Sequence, residues 1–299
     1  MALSTFTFLS STLLNALLVR AAPVLETRQS FTTLSSSQIA AFEPFTFYAS
    51  SAYCPSSQTM TWSCGANCEA NPTFQPVASG GDGSTVQFWY VGFDPTLATV
   101  IVGHQGTDPS KLMPLITDAD FFLDPLNQTF FPGIDSKIEV HNGFAEEHAK
   151  TATDVLAAVK TALTESGLNR VTIVGHSLGA ALAVLDGVYL PLNIPNVNFR
   201  TIGYGMPRVG NQAFADYVDA NVQLTRITNK NDVVPILPGR FLGFHHPSGE
   251  NHIQADNSWV SCPGQDNTDG RCSTGDVHTI LGGSVKDHSG PYDTVTIGC

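Results

Sequence analysis

Basic side chains are scarce in this sequence: 14 Lys and Arg residues stand against 26 Asp and Glu residues, for a formal net charge of −12 at pH 7. The few basic residues also form no run along the chain. An acidic surface repels nucleic-acid phosphates and anionic lipid headgroups. The composition therefore excludes nonspecific nucleic-acid binding and electrostatic attachment to an anionic membrane.

A membrane-spanning run is also missing, since a span needs about 20 consecutive apolar residues. The N-terminal apolar stretch FTFLSSTLLNALLV at residues 6–19 is shorter, and RAAPVLETR follows it. This pattern is typical of a secretory signal peptide, although no Lys or Arg precedes it; a first core helix is the alternative. We predict a signal peptide over residues 1–22, a possible propeptide to Arg28, and a secreted protein with a glycosylation site at Asn127.

No internal repeat and no long linker divides the rest of the chain, so we expect one domain over residues 29–299. Apolar periodicity predicts strands at 86–91, 97–102, 137–141, 170–174, 198–204 and 223–228, and helices at 142–166, 178–190 and 211–221. Strands that alternate with helices over short spans indicate an α/β fold, with a largely parallel central sheet and helices on both faces.

The cysteine count is even, and all the cysteines follow the predicted signal peptide: Cys54, Cys64, Cys68, Cys262, Cys272 and Cys299. An even count in a secreted chain indicates disulfides, but the sequence alone leaves their pairing open. Local bridges could form between Cys64 and Cys68 and between Cys262 and Cys272, which are close in the sequence. Cys54 would then be left to pair with Cys299. A metal site is the alternative, although no second Cys or His pair repeats at ligand spacing.

The stretch TIVGHSLGAALA at residues 172–183 places Ser177 between two glycines, directly after a predicted strand and before a predicted helix. A sharp turn of this kind exposes the serine hydroxyl at the carboxyl edge of the sheet, above a helix N-terminus. A Gly-x-Ser-x-Gly match alone is weak, and an ordinary tight turn is the alternative. Its position between strand and helix makes Ser177 a candidate nucleophile.

A serine nucleophile needs a base, and the base needs an acid that orients it. Asp232 follows the 223–228 strand and therefore lies at the same sheet edge; a solvated loop carboxylate is the alternative. Several histidines come after it, and periodicity does not separate them: His245, His246, His252, His278 and His288. His288 lies in a loop-like stretch near the end of the sequence, and we take it as the candidate base.

An oxyanion hole requires at least two donors, and the N–H of Leu178 after the serine is the first. The second should follow a central strand, and TVIVGHQGT at residues 99–107 is a buried strand that ends in a glycine turn. Thr107 at its end offers both an N–H and a hydroxyl group.

Several further blocks resemble those of the secreted fungal class 3 lipases, which have the α/β-hydrolase fold. They occur in that family's order: VHNGF, TIVGHSLGAALA, YGMPRVGNQAFADY, NDVVPILP, GFHHPSGE and the final DHSGPYDTVTIGC. The resemblance implies that Ser177, Asp232 and His288 form a triad, with Thr107 and Leu178 as oxyanion donors. It also implies a structural role for His246 and the disulfides Cys54–Cys299, Cys64–Cys68 and Cys262–Cys272.

The chain departs from this family in two places. Gln105 replaces the usual Arg, so a charge-assisted latch on the lid is not expected. The lid segment 108–120 has no Trp and contains Pro114, which predicts a short or kinked lid. Its apolar side chains would form a flap that opens onto lipid, with a buried crossover as the alternative. Four later residues are candidates for an acyl groove, with plain core as the alternative: Ile236, Leu237, Phe241 and Leu242.

The expected function is a secreted serine ester hydrolase that releases fatty acids from acylglycerols at a lipid–water interface. This chemistry requires no cofactor and no metal. We expect a monomer, although the sequence leaves the oligomeric state open. The alternatives are a feruloyl or other soluble-ester esterase, a lipase selective for mono- and diacylglycerols, and an inactive secreted binding protein on the same scaffold.

Overall fold

A computed structural model describes Met1 and residues 30–107 and 122–299 of this chain. The predicted signal peptide and the predicted lid segment with Pro114 lie outside the described residues. None of the helices in the two described ranges is long and apolar enough to cross a bilayer.

The described strands are β1 (Thr32–Thr33), β2 (Gln75–Gly80), β3 (Trp89–Asp94), β4 (Thr99–His104), β5 (Leu123–Pro125), β6 (Glu139–His141), β7 (Arg170–His176), β8 (Asn198–Tyr204), β9 (Gly210–Asn211), β10 (Leu224–Asn229), β11 (Phe244–His245), β12 (Glu250–Ile253) and β13 (Trp259–Cys262). The described α-helices are α1 (Ser36–Ala40), α2 (Glu43–Ser51), α3 (Ser56–Met60), α4 (Ala66–Glu69), α5 (Asn142–Ala149), α6 (Ala152–Ser166), α7 (Leu178–Asn193), α8 (Gln212–Asn221), α9 (Ser273–Asp276) and α10 (Val285–His288). Short 3₁₀ turns occur at Val234–Ile236, Arg240–Leu242 and Ile280–Gly282.

Nine of the described strands form one sheet in the order β1-β13-β12-β10-β8-β7-β4-β3-β2. The central strands from β12 to β4 run parallel, as the sequence predicts, because helices connect most of them. The outer strands are antiparallel, since short turns join β2 to β3, β3 to β4 and β12 to β13. A second described sheet, with the order β11-β9-β6-β5, is antiparallel.

Alternate residues of the central strands enter two separate cores. Val100 and Val102 pack with α6 and α7 on one face of the sheet, whereas Ile101 packs with α2 on the other. Side chains of a strand point to opposite faces in turn, so a continuous apolar run fills both layers. The sheet therefore has helices on both faces, as in an α/β-hydrolase fold.

The prediction of one helix over residues 142–166 is wrong, because α5 ends at Ala149 and α6 begins at Ala152. The two helices face different neighbours: α5 packs against α7, and α6 packs against β3 and β4. At the end of α5, the side chain of His148 turns inward, and its Nε2 lies 2.8 Å from Asp186 Oδ1 in α7. The break lets each helix present its own buried face.

All the cysteines are bonded, and the pairs are those that the family resemblance implies: Cys54–Cys299, Cys64–Cys68 and Cys262–Cys272. The carboxylate of Glu250 lies beside Cys262 and Cys272 at a spacing that could hold a metal ion. Because both sulfur atoms are in a disulfide, neither is the thiolate that a metal requires. The bridge between Cys54 and Cys299 joins the end of α2 to the last residue given, across a separation of 245 positions.

Candidate active site

Ser177 lies at the turn between β7 and α7, with φ +59° and ψ −127°. Residues other than glycine rarely adopt a positive φ, and such strain is concentrated at functional positions. A Cβ atom on Gly175 would lie 2.1 Å from the carbonyl oxygen of Gly179, and one on Gly179 would lie 2.2 Å from that of His104. Both glycines are therefore required for the close approach of strand and helix that forms this turn.

His288 and Asp232 form a buried pair. The Nδ1–H of His288 donates a hydrogen bond of 2.9 Å to Asp232 Oδ2, and Asp232 Oδ1 accepts another of 2.9 Å from the N–H of Val234. With the proton on Nδ1, the Nε2 atom of His288 carries a lone pair. That atom is buried and has no hydrogen-bond partner among the described residues. The ring is thus oriented as that of a general base would be, with the lone pair of Nε2 available to accept a proton.

Backbone contacts hold the two loops of this pair together. Asp232 forms an isolated parallel bridge with Ser284, just before α10. Near the start of the same loop, Asn229 Nδ2 donates 2.8 Å to the carbonyl oxygen of Asp287, the residue before His288. These contacts join segments that are far apart in the sequence, so the pairing depends on the tertiary fold.

The carbonyl oxygen of His288 accepts two hydrogen bonds, from His176 Nε2 at 2.7 Å and from Tyr292 Oη at 2.9 Å. Burial lowers the pKa of His176 well below its usual value, and the adjacent His288 lowers it further. His176 is therefore neutral, and its Nδ1 accepts a hydrogen bond of 2.6 Å from the hydroxyl of Tyr53. The two hydrogen bonds to its carbonyl oxygen fix the main chain of His288 beside the uncharged ring of His176.

Further contacts bring the serine turn to the same sheet edge as His288. The N–H of Ser177 donates 2.9 Å to the carbonyl oxygen of Tyr204. The next residue, Gly205, has φ +53°, and a Cβ there would lie 2.9 Å from the ring of His288. The ring centroids of His176 and His288 are 4.3 Å apart. The three predicted triad positions therefore lie at one edge of the sheet.

The predicted oxyanion donors lie beside the serine. A Cβ on Gly106 would be 3.0 Å from the Cβ of Ser177, so the turn after β4 contacts the turn that carries Ser177 directly. Thr107 follows, and its Oγ1 is buried without a hydrogen-bond partner in the described part of the chain. Leu178 is the first residue of α7, where helix geometry leaves the N–H groups without intrahelical acceptors. Both donors are thus available to an oxygen atom near Ser177.

Two of the other histidines that follow Asp232 in the sequence form hydrogen bonds away from its carboxylate. His246 is fully buried, and its Nε2 donates 2.7 Å to the carbonyl oxygen of Pro235. His252 is also buried, with Nδ1 2.8 Å from Thr228 Oγ1. The contacts of His246 hold the segment that follows Asp232, which is a structural function.

Gln105 is buried, and its Oε1 accepts a hydrogen bond of 2.7 Å from the N–H of Phe88. The backbone N–H of Gln105 donates 2.8 Å to the carbonyl oxygen of Phe88 in return. The side chain therefore joins the turn after β4 to the residue that precedes β3, a contact that uses its neutral amide.

An apolar cavity of about 480 Å³ lies beside the segment that follows Asp232. Its lining includes the residues predicted for an acyl groove, Ile236, Leu237, Phe241 and Leu242, and also Ile280 and Leu281. Phe241 is 90% exposed and Leu281 is 99% exposed at its rim. Large exposed apolar side chains that cluster around a cavity indicate a binding surface for an apolar partner.

Arg208 supports the floor of this cavity. Its Nε donates 2.7 Å to Asp266 Oδ1, and its Nη1 donates 3.0 Å to the carbonyl oxygen of Pro238 and also bonds that of Ile236. Both members of the ion pair are buried. The guanidinium thus fixes the backbone that carries the apolar lining residues.

Comparison with known sequences is consistent with this geometry. The model of the family described as Lipase (class 3) matches residues 101–242. The secreted mono- and diacylglycerol lipase MDL3 of Malassezia globosa is 32% identical over 228 residues, which cover 73% of this chain and 71% of that protein. The chain belongs to the class 3 lipase family. A second relative, the secreted mono- and diacylglycerol lipase MDL5 of the same species, is 32% identical over 67% of this class 3 lipase, and the match spans 63% of the relative's own length.

Solved structures share the architecture of this class 3 lipase. Lipase II from Rhizopus niveus superposes with a TM-score of 0.78 at 26% identity, covering 90% of this chain and 99% of that one. The Lip2 lipase of Yarrowia lipolytica gives a TM-score of 0.79 at 23% identity, covering 90% and 98% of the two chains, and this likeness shows the fold. The α/β-hydrolase fold predicted from the sequence is confirmed.

Sequence reasoning missed several residues that hold the site together: Tyr53, His176, Gly205, Arg208 and Tyr292. Four of them lie within blocks quoted for the family resemblance, but nothing in their local pattern indicates a contact with His288 or with the cavity floor. Tyr53 has no local signal, because its hydrogen bond to His176 joins the segment after α2 to β7, 123 positions away.

Proposed function

We propose that this class 3 lipase is a secreted acylglycerol hydrolase that acts through Ser177, His288 and Asp232. The observation that carries the proposal is the buried His288–Asp232 pair at the same sheet edge as the strained serine turn, with an Nε2 atom that no described residue hydrogen-bonds. In this proposal residues 29–299 form one catalytic domain of a monomeric, disulfide-bonded enzyme. Asn127 is exposed and serves as a glycosylation site.

In the proposed reaction, Nε2 of His288 takes the proton of the Ser177 hydroxyl while Oγ attacks the ester carbonyl carbon. Asp232 keeps the proton on Nδ1 and stabilises the imidazolium that forms. His288 then protonates the departing alcohol oxygen, and the acyl group remains on Ser177. A water molecule, deprotonated by His288, attacks the acyl-enzyme, and the fatty acid leaves as Ser177 recovers its proton.

The carbonyl oxygen becomes negatively charged in both tetrahedral intermediates. The N–H of Leu178 and the hydroxyl of Thr107 donate hydrogen bonds to this oxyanion in the proposed reaction. Thr107 Oγ1 is buried and has no hydrogen-bond partner among the described residues, which supports this role, because a hydrogen bond to the oxyanion would recover the free energy that an unpaired buried hydroxyl costs.

Replacement of Thr107 by valine is therefore expected to lower kcat by about 10²–10³, with little change in KM, because the lost hydrogen bond forms only with the charged intermediate. Thr107→Ser keeps the hydroxyl and should retain most of the activity. Steady-state kinetics on a soluble ester separates the two variants. Equal activity of the valine variant and the unmodified enzyme would exclude the Thr107 hydroxyl as a donor.

The apolar cavity lined by residues 236–242, in the segment that follows Asp232, favours an acyl chain as the substrate group that it binds. Its rim side chains, Phe241 and Leu281, would contact the lipid from which the ester is taken. The names of the Malassezia relatives favour mono- and diacylglycerols as the preferred substrates within this class. A feruloyl-type esterase is the second candidate, and it would need a polar aromatic site in place of this apolar lining.

An ester panel tests the proposal. We expect hydrolysis of long-chain acylglycerols to rise steeply once the substrate exceeds its solubility limit, because the apolar rim then contacts an interface. Comparison of mono-, di- and triacylglycerols defines the preferred class. Saturation on monomeric aromatic esters, without a rise at the solubility limit, would instead indicate a soluble-ester esterase. Failure of a serine-reactive phosphonate to label the protein would indicate an inactive binding protein.

A further inference from the structure

A polar cavity lies at the opposite edge of the central sheet from Ser177. Its volume is about 560 Å³, and it lies where β4, β7, β8 and β10 begin. The lining is Phe45, Leu97, Thr99, Arg170, Thr172, Asn198, Arg200, Gln223 and Thr225. The proposed ester hydrolysis uses the carboxyl ends of these strands, so nothing in that reaction explains the cavity.

Two arginines point into this cavity from neighbouring parallel strands. Arg170 pairs in register with Asn198, and Arg200 pairs with Thr172, so the two arginines are diagonal neighbours on one face of the sheet. Strand geometry places their Cα atoms about 8 Å apart. At that spacing two long side chains can bind the same small ligand.

No carboxylate in the described part of the chain forms an ion pair with either arginine. Neither guanidinium forms an ion pair or a side-chain hydrogen bond with any residue in the ranges 30–107 and 122–299. Burial lowers the pKa of Arg200; Tyr204 acts in the opposite direction, and the like charge of Arg170 lowers the pKa further. Two adjacent cations without a carboxylate are unexpected in a chain whose net charge is −12.

Arg200 is held in place by aromatic rings. Its guanidinium carbon lies 5.5 Å from the ring centroid of Phe42 and 5.3 Å from that of Phe45, distances at which cations and aromatic rings attract. At the cavity wall, the hydroxyls of Thr99 and Thr172 lie 3.0 Å apart. A fixed guanidinium beside hydroxyl groups loses little freedom when it binds an oxyanion.

We propose that this cavity binds a small, multiply charged oxyanion of the phosphate type. Guanidinium groups bind such ligands through paired charge-assisted hydrogen bonds. The ligand chemistry is shared by free phosphate and by the phosphate of a lipid headgroup. The lining is mostly polar and offers little apolar surface for a lipid, so the free, soluble anion is the ligand we assign. This assignment does not depend on the proposed ester hydrolysis.

Thermal unfolding and calorimetry with inorganic phosphate test the assignment. Phosphate at about ten times its dissociation constant should raise the Tm by about 3 °C over sodium chloride of equal ionic strength, and the rise should saturate. The Arg200→Gln and Arg170→Gln variants should lose the saturable part. Phosphate also stabilises proteins nonspecifically by exclusion from their surface, but that effect does not saturate.

Arg271→Gln is the matched control, because Arg271 is exposed and pairs with Asp269 outside the cavity. The Tm of this variant should rise with phosphate as that of the unmodified protein does. In all three variants, the rate of hydrolysis of a soluble ester should stay the same when phosphate is added. An equal saturable rise in Arg200→Gln, or no saturable rise at all, would overturn the proposal. Binding only to vesicles of phosphatidylcholine with phosphatidic acid, and not to free phosphate, would overturn the assignment to a soluble anion.

Discussion

The Ser177→Ala variant is expected to lose ester hydrolysis almost completely, with kcat lower by about 10⁶. The substitution removes only the hydroxyl group, and without it the His288–Asp232 pair has no nucleophile to activate. The oxyanion donors remain, so a small residual rate from their binding of the transition state is expected. Initial rates on emulsified acylglycerol and on a soluble ester measure the loss.

The variant should keep its fold, because alanine accepts the same backbone conformation at the turn about as well as serine does. An unchanged Tm would show this, and loss of phosphonate labelling would assign the reactive hydroxyl. Ser51→Ala is the matched control: Ser51 is also buried, but its Oγ bonds the carbonyl oxygen of Phe47 within α2. Retention of full activity in Ser177→Ala would exclude the proposed mechanism.

The serine turn could be predicted because all its determinants are contiguous. Gly175, Ser177 and Gly179 lie within five residues, and the strand and helix that flank them have clear apolar patterns. Asp232 could be proposed from its place after a strand. His288 could not be selected from the residues alone, since its position depends on the bridge between Asp232 and Ser284. The family resemblance is what identifies His288 among the histidines that follow Asp232.

The shortest strands of the two sheets were not predicted, and the reason is their length. Strands such as β1, β9 and β11 contain two residues each, too few to show a period. Their existence depends on pairing partners far away in the sequence. The same limit applies to the cavity floor, where Arg208 reaches Asp266 across 58 positions.

Asp186 shows a different limit of sequence analysis, because it lies inside the apolar pattern of α7. Its two carboxylate oxygens accept hydrogen bonds from His104 Nε2 at 2.7 Å and His148 Nε2 at 2.8 Å. All three side chains are buried. His104 ends β4, three residues before Thr107. The cluster therefore joins α7, which follows Ser177, to α5 and to β4.

Asp186→Asn is expected to lower the free energy of unfolding at pH 7 by about 3–5 kcal/mol, because it removes the charged member of a buried network. The amide that replaces the carboxylate can no longer accept hydrogen bonds from both His104 and His148. Urea unfolding of the two proteins measures this difference. Asp124→Asn is the control, since Asp124 is exposed on β5 and its loss should change stability by less than about 0.5 kcal/mol. A change of less than about 1 kcal/mol in Asp186→Asn would mean that the network contributes little.

The pH dependence of stability gives an independent test of the same cluster. Burial alone would raise the pKa of Asp186, but the hydrogen bonds from His104 and His148 outweigh it and lower the pKa to about 2. A carboxylate whose pKa is lowered in the folded state stabilises the protein fully above its unfolded pKa, and the contribution is lost as pH falls through the folded value. The unmodified protein should therefore lose stability between about pH 4 and pH 2 more steeply than Asp186→Asn, in which no carboxylate titrates at this position. Parallel acid-unfolding curves for the two proteins would contradict the lowered pKa, and with it the charged state of Asp186 in the folded enzyme.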